Sequence, residues 1–295
     1  MDQEDVEREA TEHLPSQLLW LRELERRHDA RGYWDLATPG SPLAADDEAL
    51  RPFQLSHFIG HCLVSSVDAM RTVRLVMQEH EGDTRFRLPL MGLYPLLRAA
   101  GEAGALAIWL LQPDDPRERR LRALQARMED VLHQAAGDRT LFGDALTDDK
   151  AGVAYKQAAL RASTRLTRTR KADLRAIAKR EGIEDHEFER GHPGFGPIVG
   201  EAAASVGMKA NVTRSTWHLL SGLSHPGVSR AAAFSRMEEL GERDGVIRAH
   251  WTARPSIVGQ AIANAGMMHC VALDLCAERG GDPTVAFTGA APAPK

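Results

Sequence analysis

The residues best suited to chemistry fall in one short run, "WHLLSGLSHPG", from Trp217 to Gly227, which holds two histidines and two serines and halts at a Pro-Gly pair. At about 100° per residue, a helix here puts Asn211, Arg214, His218, Ser221 and His225 on one narrow arc, because their spacings run three, four, three, four. Val212, Thr216, Leu219, Leu220 and Leu223 fall opposite. A solvated helical face is ordinarily written in Lys, Glu, Arg and Asp, whereas in this stripe only Arg214 is formally charged. Imidazoles for proton transfer, a guanidinium for an anion and a hydroxyl stand in one row. The same residues also suit plain helix chemistry, with Asn211 as a cap, His225 against the last carbonyls and Gly222 admitting a close neighbour.

A second candidate lies upstream. Arg98 and Glu102 are the only charged residues between Leu88 and Leu111 and share one helical stripe at i,i+4 spacing. A buried guanidinium offers five donors, more than one carboxylate accepts, so the pair should have further partners. The polar stripe of 211–225 is the expected one, with Glu102 orienting a histidine and Arg98 holding an anion. A structural ion pair that fixes helix register is the alternative.

Three other groups carry weaker signals. His57 and His61 in "HFIGH" have the i,i+4 spacing of a two-imidazole metal site, but lack the glutamate of a zincin motif, and a solvated face explains them as well. Asp130 and His133 resemble half of a di-metal carboxylate site, with no second half. Arg161, Arg165, Arg168, Arg175 and Lys179 form a basic ridge suited to a phosphate backbone, without interleaved aromatic residues. The loop 181–197, with His186 and His192, reads as a lid or partner loop. No phosphate-binding glycine loop, dinucleotide fingerprint or nucleophile elbow is present, and no cofactor is expected.

The elements that must position these residues are helical. The 295 residues are 43% hydrophobic, enough for a large core, and the formal charge of −4 argues against a wholesale nucleic-acid coat. Apolar residues recur at three- and four-residue spacing with no alternating run, which predicts an all-α, multi-helix bundle without a confident β-sheet. Helices are expected at 4–13, 16–31, 46–80, 89–111, 115–136, 151–181, 197–207, 212–225, 229–241 and 255–278. Residues 1–43 read as a charged helical extension, 44–278 as the main bundle and 279–295 as a disordered tail. Cys62, Cys270 and Cys276 lack CxxC spacing, and no secretory leader is evident, so a reducing cytoplasmic setting is expected. Residues 88–111 are long enough to span a membrane, but Arg98 and Glu102 at their centre argue for a packed helix and no membrane partner.

The pair of stretches "YPLLRAAGEAGALAIWLL" and "WHLLSGLSHPG" resembles bacterial helical-bundle proteins loosely similar to the HEPN superfamily. That resemblance implies RNA binding or metal-independent RNA cleavage. His218 or His225 would move protons at a ribose 2′-hydroxyl and leaving oxygen, while Arg214 or Arg98 would stabilise charge on phosphate. The sequence departs from the superfamily's arginine–histidine spacing, since only three residues, "STW", separate Arg214 from His218. Two other readings stay open: a helical interaction protein that forms a homo-oligomer, and a binding protein for a small anionic ligand anchored by Arg98.

Overall fold

Asp244 and Gly245 both take positive φ, 55° and 76°, the backbone of a tight hairpin turn. They join antiparallel strands β1 (Ser235–Arg243) and β2 (Val246–Ala253), with Met237 opposite Trp251 and a register shift between Glu239 and Gly241. The all-α expectation is therefore corrected to a mostly helical fold with one small two-stranded sheet. The helix expected over 229–241 ends at Phe234, because Gly241 and the Asp-Gly turn favour reversal and "VIRAHWT" is rich in strand formers.

The computed structural model describes residues 2–31, 35–78, 86–143 and 149–287. Its helices, in chain order, are α1 (Gln3–Arg31), α2 (Pro42–Ala49), α3 (Leu55–Met77), α4 (Tyr94–Leu111), α5 (Pro116–Gly143), α6 (Lys150–Arg180), α7 (Asp185–Phe188), α8 (Phe195–Ser205), α9 (Ala210–Leu223), α10 (Val228–Phe234) and α11 (Pro255–Gly280). Two expected helix boundaries are corrected. The helix α1 runs unbroken through Pro15, since the burial of Leu14, Leu18 and Leu21 outweighs one missing N–H. The single helix expected over 46–80 is two, α2 and α3, parted at Pro52, whose ring disfavours helix at the residue before it.

The chain divides into two compact units, one of Met1–Ser41, Ser56–Gln112 and Gly194–Lys295, the other of Pro42–Leu55 and Pro113–Pro193. In the first, α11 is central. The helix α4 runs beside it in the same direction, with Arg279 Nε donating to Leu111 O at 3.2 Å. Gly104 makes that approach possible, for a Cβ there would sit 3.0 Å from Met268 Cβ and 3.2 Å from the His269 backbone nitrogen. Ser66 on α3 donates to Ala100 O on α4 at 3.2 Å, and buried Glu25 on α1 accepts from Arg74 on α3 at 2.7 and 2.6 Å. Among the described residues α11 is the one helix long and apolar enough to cross a membrane, and 67% of that stretch is buried.

After α11, Pro283–Val285 form a 3-10 turn, Val285 and Phe287 are buried, and Phe287 N donates to Asp274 Oδ1 at 2.8 Å. Residues 288–295 of the expected disordered tail lie outside the described residues.

In the second unit, α5 and α6 form an antiparallel hairpin, and Asp149 caps α6 by accepting from Gly152 N at 2.9 Å. Asp46 on α2 is fully buried and accepts from Arg119 Nε at 2.7 Å and Arg120 Nε at 2.9 Å, both on α5. Arg119 Nη1 donates further to Pro113 O and Asp114 O, and Arg120 Nη1 reaches Glu181 Oε2 at 2.7 Å.

Candidate functional site

Glu102 and the polar helix α9 do meet, through a residue that the sequence reading left out. Glu102 Oε1 accepts from Arg98 Nε at 2.8 Å and from Trp217 Nε1 at 2.8 Å. The Arg98 guanidinium carbon stands 5.7 Å from the Trp217 ring centroid. The partner of Glu102 on α9 is thus an indole rather than a histidine. Indole N–H is a donor only, so a carboxylate on the facing helix is its natural acceptor. On α8, Gly196 leaves room for that ring, because a Cβ there would lie 3.2 Å from Trp217 Cζ3.

Farther along α4, Trp109 Nε1 donates to Glu201 Oε2 on α8 at 3.2 Å. The helix α4 therefore gives a carboxylate to α9 and an indole to α8.

Beside this clasp, Leu97, Arg98, Gly101, Trp217, Asn264 and Met268 line part of a cavity of about 20 Å³. That is room for about one water molecule. Asn264 Nδ2 is buried there without an acceptor among the described residues, while its Oδ1 accepts from Gln260 Nε2 at 2.8 Å. The terminal nitrogens of Arg98 have no partner among the described residues, and the side chain is 30% exposed against 15% for Glu102.

The rest of the stripe faces outward. Asn211, Arg214 and His218 are exposed and Ser221 is half-buried, while Thr213, Leu220 and Leu223 point into the core. His218 packs edge-on against Trp217, with ring centroids 4.7 Å apart, and neither His218 nor His225 has a carboxylate partner among the described residues. His225 stands beyond the end of α9, in the bend before Pro226, and not in the last helical turn where the sequence put it. The close neighbour that Gly222 admits is Arg230 of α10.

His57 and His61 are exposed on α3, and no group of three metal-ligating side chains occurs among the described residues. His133 pairs with Glu129 at 2.8 Å and not with Asp130. His192 is half-buried, and burial pulls its imidazole below the usual range.

On α6, Arg161, Arg165, Arg168, Arg175 and Lys179 are all exposed. Arg175 is neutralised by Glu189 at 2.5 Å and Asp185 at 3.5 Å, whereas Arg161, Arg165 and Arg168 have no carboxylate partner among the described residues. Tyr155, passed over in the sequence, is 70% exposed on the same helix.

No protein-family model, curated protein or solved structure matches this chain.

Proposed function

We propose that the protein binds RNA through the exposed face of α6. The observation that carries this reading is the row Arg161, Arg165 and Arg168, exposed and without a carboxylate partner among the described residues, on a 31-residue helix whose only acid is Asp173. Successive positions stand about 6 and 4.5 Å apart along the helix axis, so their flexible side chains can follow phosphates along one strand. A solvated helix of this length would ordinarily mix several acids with its bases; this one has a single acid.

Binding is favoured over cleavage by the state of the histidines. General acid–base work on a phosphodiester needs an imidazole whose orientation and proton are held by a partner. Glu102 is already engaged by Arg98 and Trp217, and His218 and His225 have no carboxylate beside them among the described residues.

Fluorescence anisotropy with a labelled single-stranded RNA, measured against salt, tests the reading. Wild-type protein should bind at low salt, with log K falling linearly against log salt. An Arg161→Gln, Arg165→Gln, Arg168→Gln triple variant should reduce that slope by about 2, three phosphate contacts at about 0.7 each. The RNA should stay intact in chelator. No binding at low salt, or an unchanged slope in the triple variant, would falsify it.

A further inference from the structure

A second cationic surface lies in the other unit and is built from different residues. Between Glu201 and Glu238 the chain has no acidic residue, while it carries Lys209, Arg214, Arg230 and Arg236 together with His218 and His225. Within this stretch the end of α9, the bend after it and α10 line an open surface cleft of about 640 Å³. His225, Ser229 and Arg230 supply its polar wall, and Val228 and Phe234 its apolar one.

Two details bear on what this open surface can hold. The guanidinium of Arg230 lies against α9 at Gly222, where an added Cβ would stand 1.8 Å from Nη1 and 2.7 Å from Cζ. Absence of a side chain at Gly222 therefore sets where Arg230 holds its charge, and no carboxylate among the described residues neutralises it. The apolar wall is also left uncovered, with Val228 83% and Phe234 38% exposed beside that charge. A planar guanidinium with a neighbouring imidazole and hydroxyl matches the oxygens of a phosphate, and an exposed ring matches a flat apolar substituent. The open depression has more room than one inorganic ion needs.

We propose that the α9–α10 cleft binds a phosphate monoester carried on a planar group, of the size of a nucleoside monophosphate. Arg230 and His225 hold the phosphate, Ser229 donates a hydroxyl, and Phe234 and Val228 cover the planar part. The ridge on α6 plays no part in it, so either proposal can fail without the other.

Isothermal titration with adenosine monophosphate, adenosine and inorganic phosphate as separate probes tests the assignment. The monophosphate should bind at least about tenfold more tightly than either fragment, because both walls contribute. Arg230→Gln should weaken it by about tenfold or more, and Phe234→Ser should reduce it to the level of inorganic phosphate. Gly222→Ala keeps the charge but pushes the guanidinium off its seat, and should weaken binding several-fold with helicity by circular dichroism unchanged. The Arg161→Gln, Arg165→Gln, Arg168→Gln variant should bind like wild type. Absence of monophosphate binding at about 10 mM, or equal affinity in wild type and a folded Arg230→Gln protein, would overturn the proposal.

Discussion

The indole of Trp217 donates to Glu102 at 2.8 Å, and the same carboxylate oxygen takes Arg98 Nε at 2.8 Å. One oxygen thus closes a contact between α4 and α9 that combines a charge-assisted hydrogen bond with a cation held over an aromatic face. A hydrogen bond to a charged group contributes about 1.5–3 kcal/mol when intact. Trp217→Phe keeps the ring and removes the donor, while Glu102→Gln keeps an acceptor and removes the charge. A double-mutant cycle on urea unfolding should show a coupling of about 1–2 kcal/mol, and a coupling within error of zero would mean that the contact is incidental.

In the second unit the buried pair of Asp46 and Arg119 makes a stronger demand. Asp46→Ala leaves Arg119 buried with only the carbonyls of Pro113 and Asp114 as acceptors among the described residues. Breaking such a pair from one side costs about 3–5 kcal/mol. Hydrogen exchange should therefore report a large loss of protection in α5 and the C-terminal part of α6. A loss below about 1 kcal/mol would show that the neighbouring carbonyls alone suffice to hold the Arg119 guanidinium.

These two contacts differ in how far the sequence disclosed them. Arg98 and Glu102 were legible because charge is conspicuous inside an apolar helix, and their i,i+4 spacing placed them on one stripe. Their partner Trp217 was not, since a tryptophan at helical spacing reads as core until its N–H is asked for an acceptor. Asp46 and Arg119 stand 73 residues apart in charged segments that look solvated, and only the fold brings them together. The helices themselves followed from apolar periodicity, and several boundaries agree within a few residues. The hairpin was missed because "SRAAAFSRMEEL" favours helix locally, although Asp244-Gly245 was the signal that should have stopped it.

The three cysteines should be silent in the folded protein. Cys62, Cys270 and Cys276 are buried and form no disulfide, and burial pushes the Cys270 thiol up to about 12 and that of Cys276 higher still. The thiolate is the reactive form, so an aromatic disulfide reagent should titrate no fast thiol in native protein and all three in concentrated urea. One rapid equivalent before unfolding would mean that the α3 or α11 packing opens readily.

His269 on α11 should couple stability to pH. It is fully buried, neither ring nitrogen has a hydrogen-bond partner among the described residues, and burial, reinforced by His28 nearby, drives its pKa down to about 3. In the unfolded chain the same imidazole titrates near 6.5. Above 6.5 both states are neutral and the residue contributes no slope. Between about 6.5 and 3 the unfolded chain takes up a proton that the folded one refuses, so stability falls as pH falls, by about 1.4 kcal/mol per pH unit for this one group. Burial also lowers the pKa of His28 and His192, which act in the same direction and remain in any His269 variant. Replacing His269 by Leu removes one proton from the linkage and two unsatisfied nitrogens from the core. Urea unfolding followed from pH 7 to pH 4 should therefore show a shallower decline for His269→Leu, with higher stability at the acid end. Parallel declines would mean that water or a neighbouring group reaches the ring and accepts its charge.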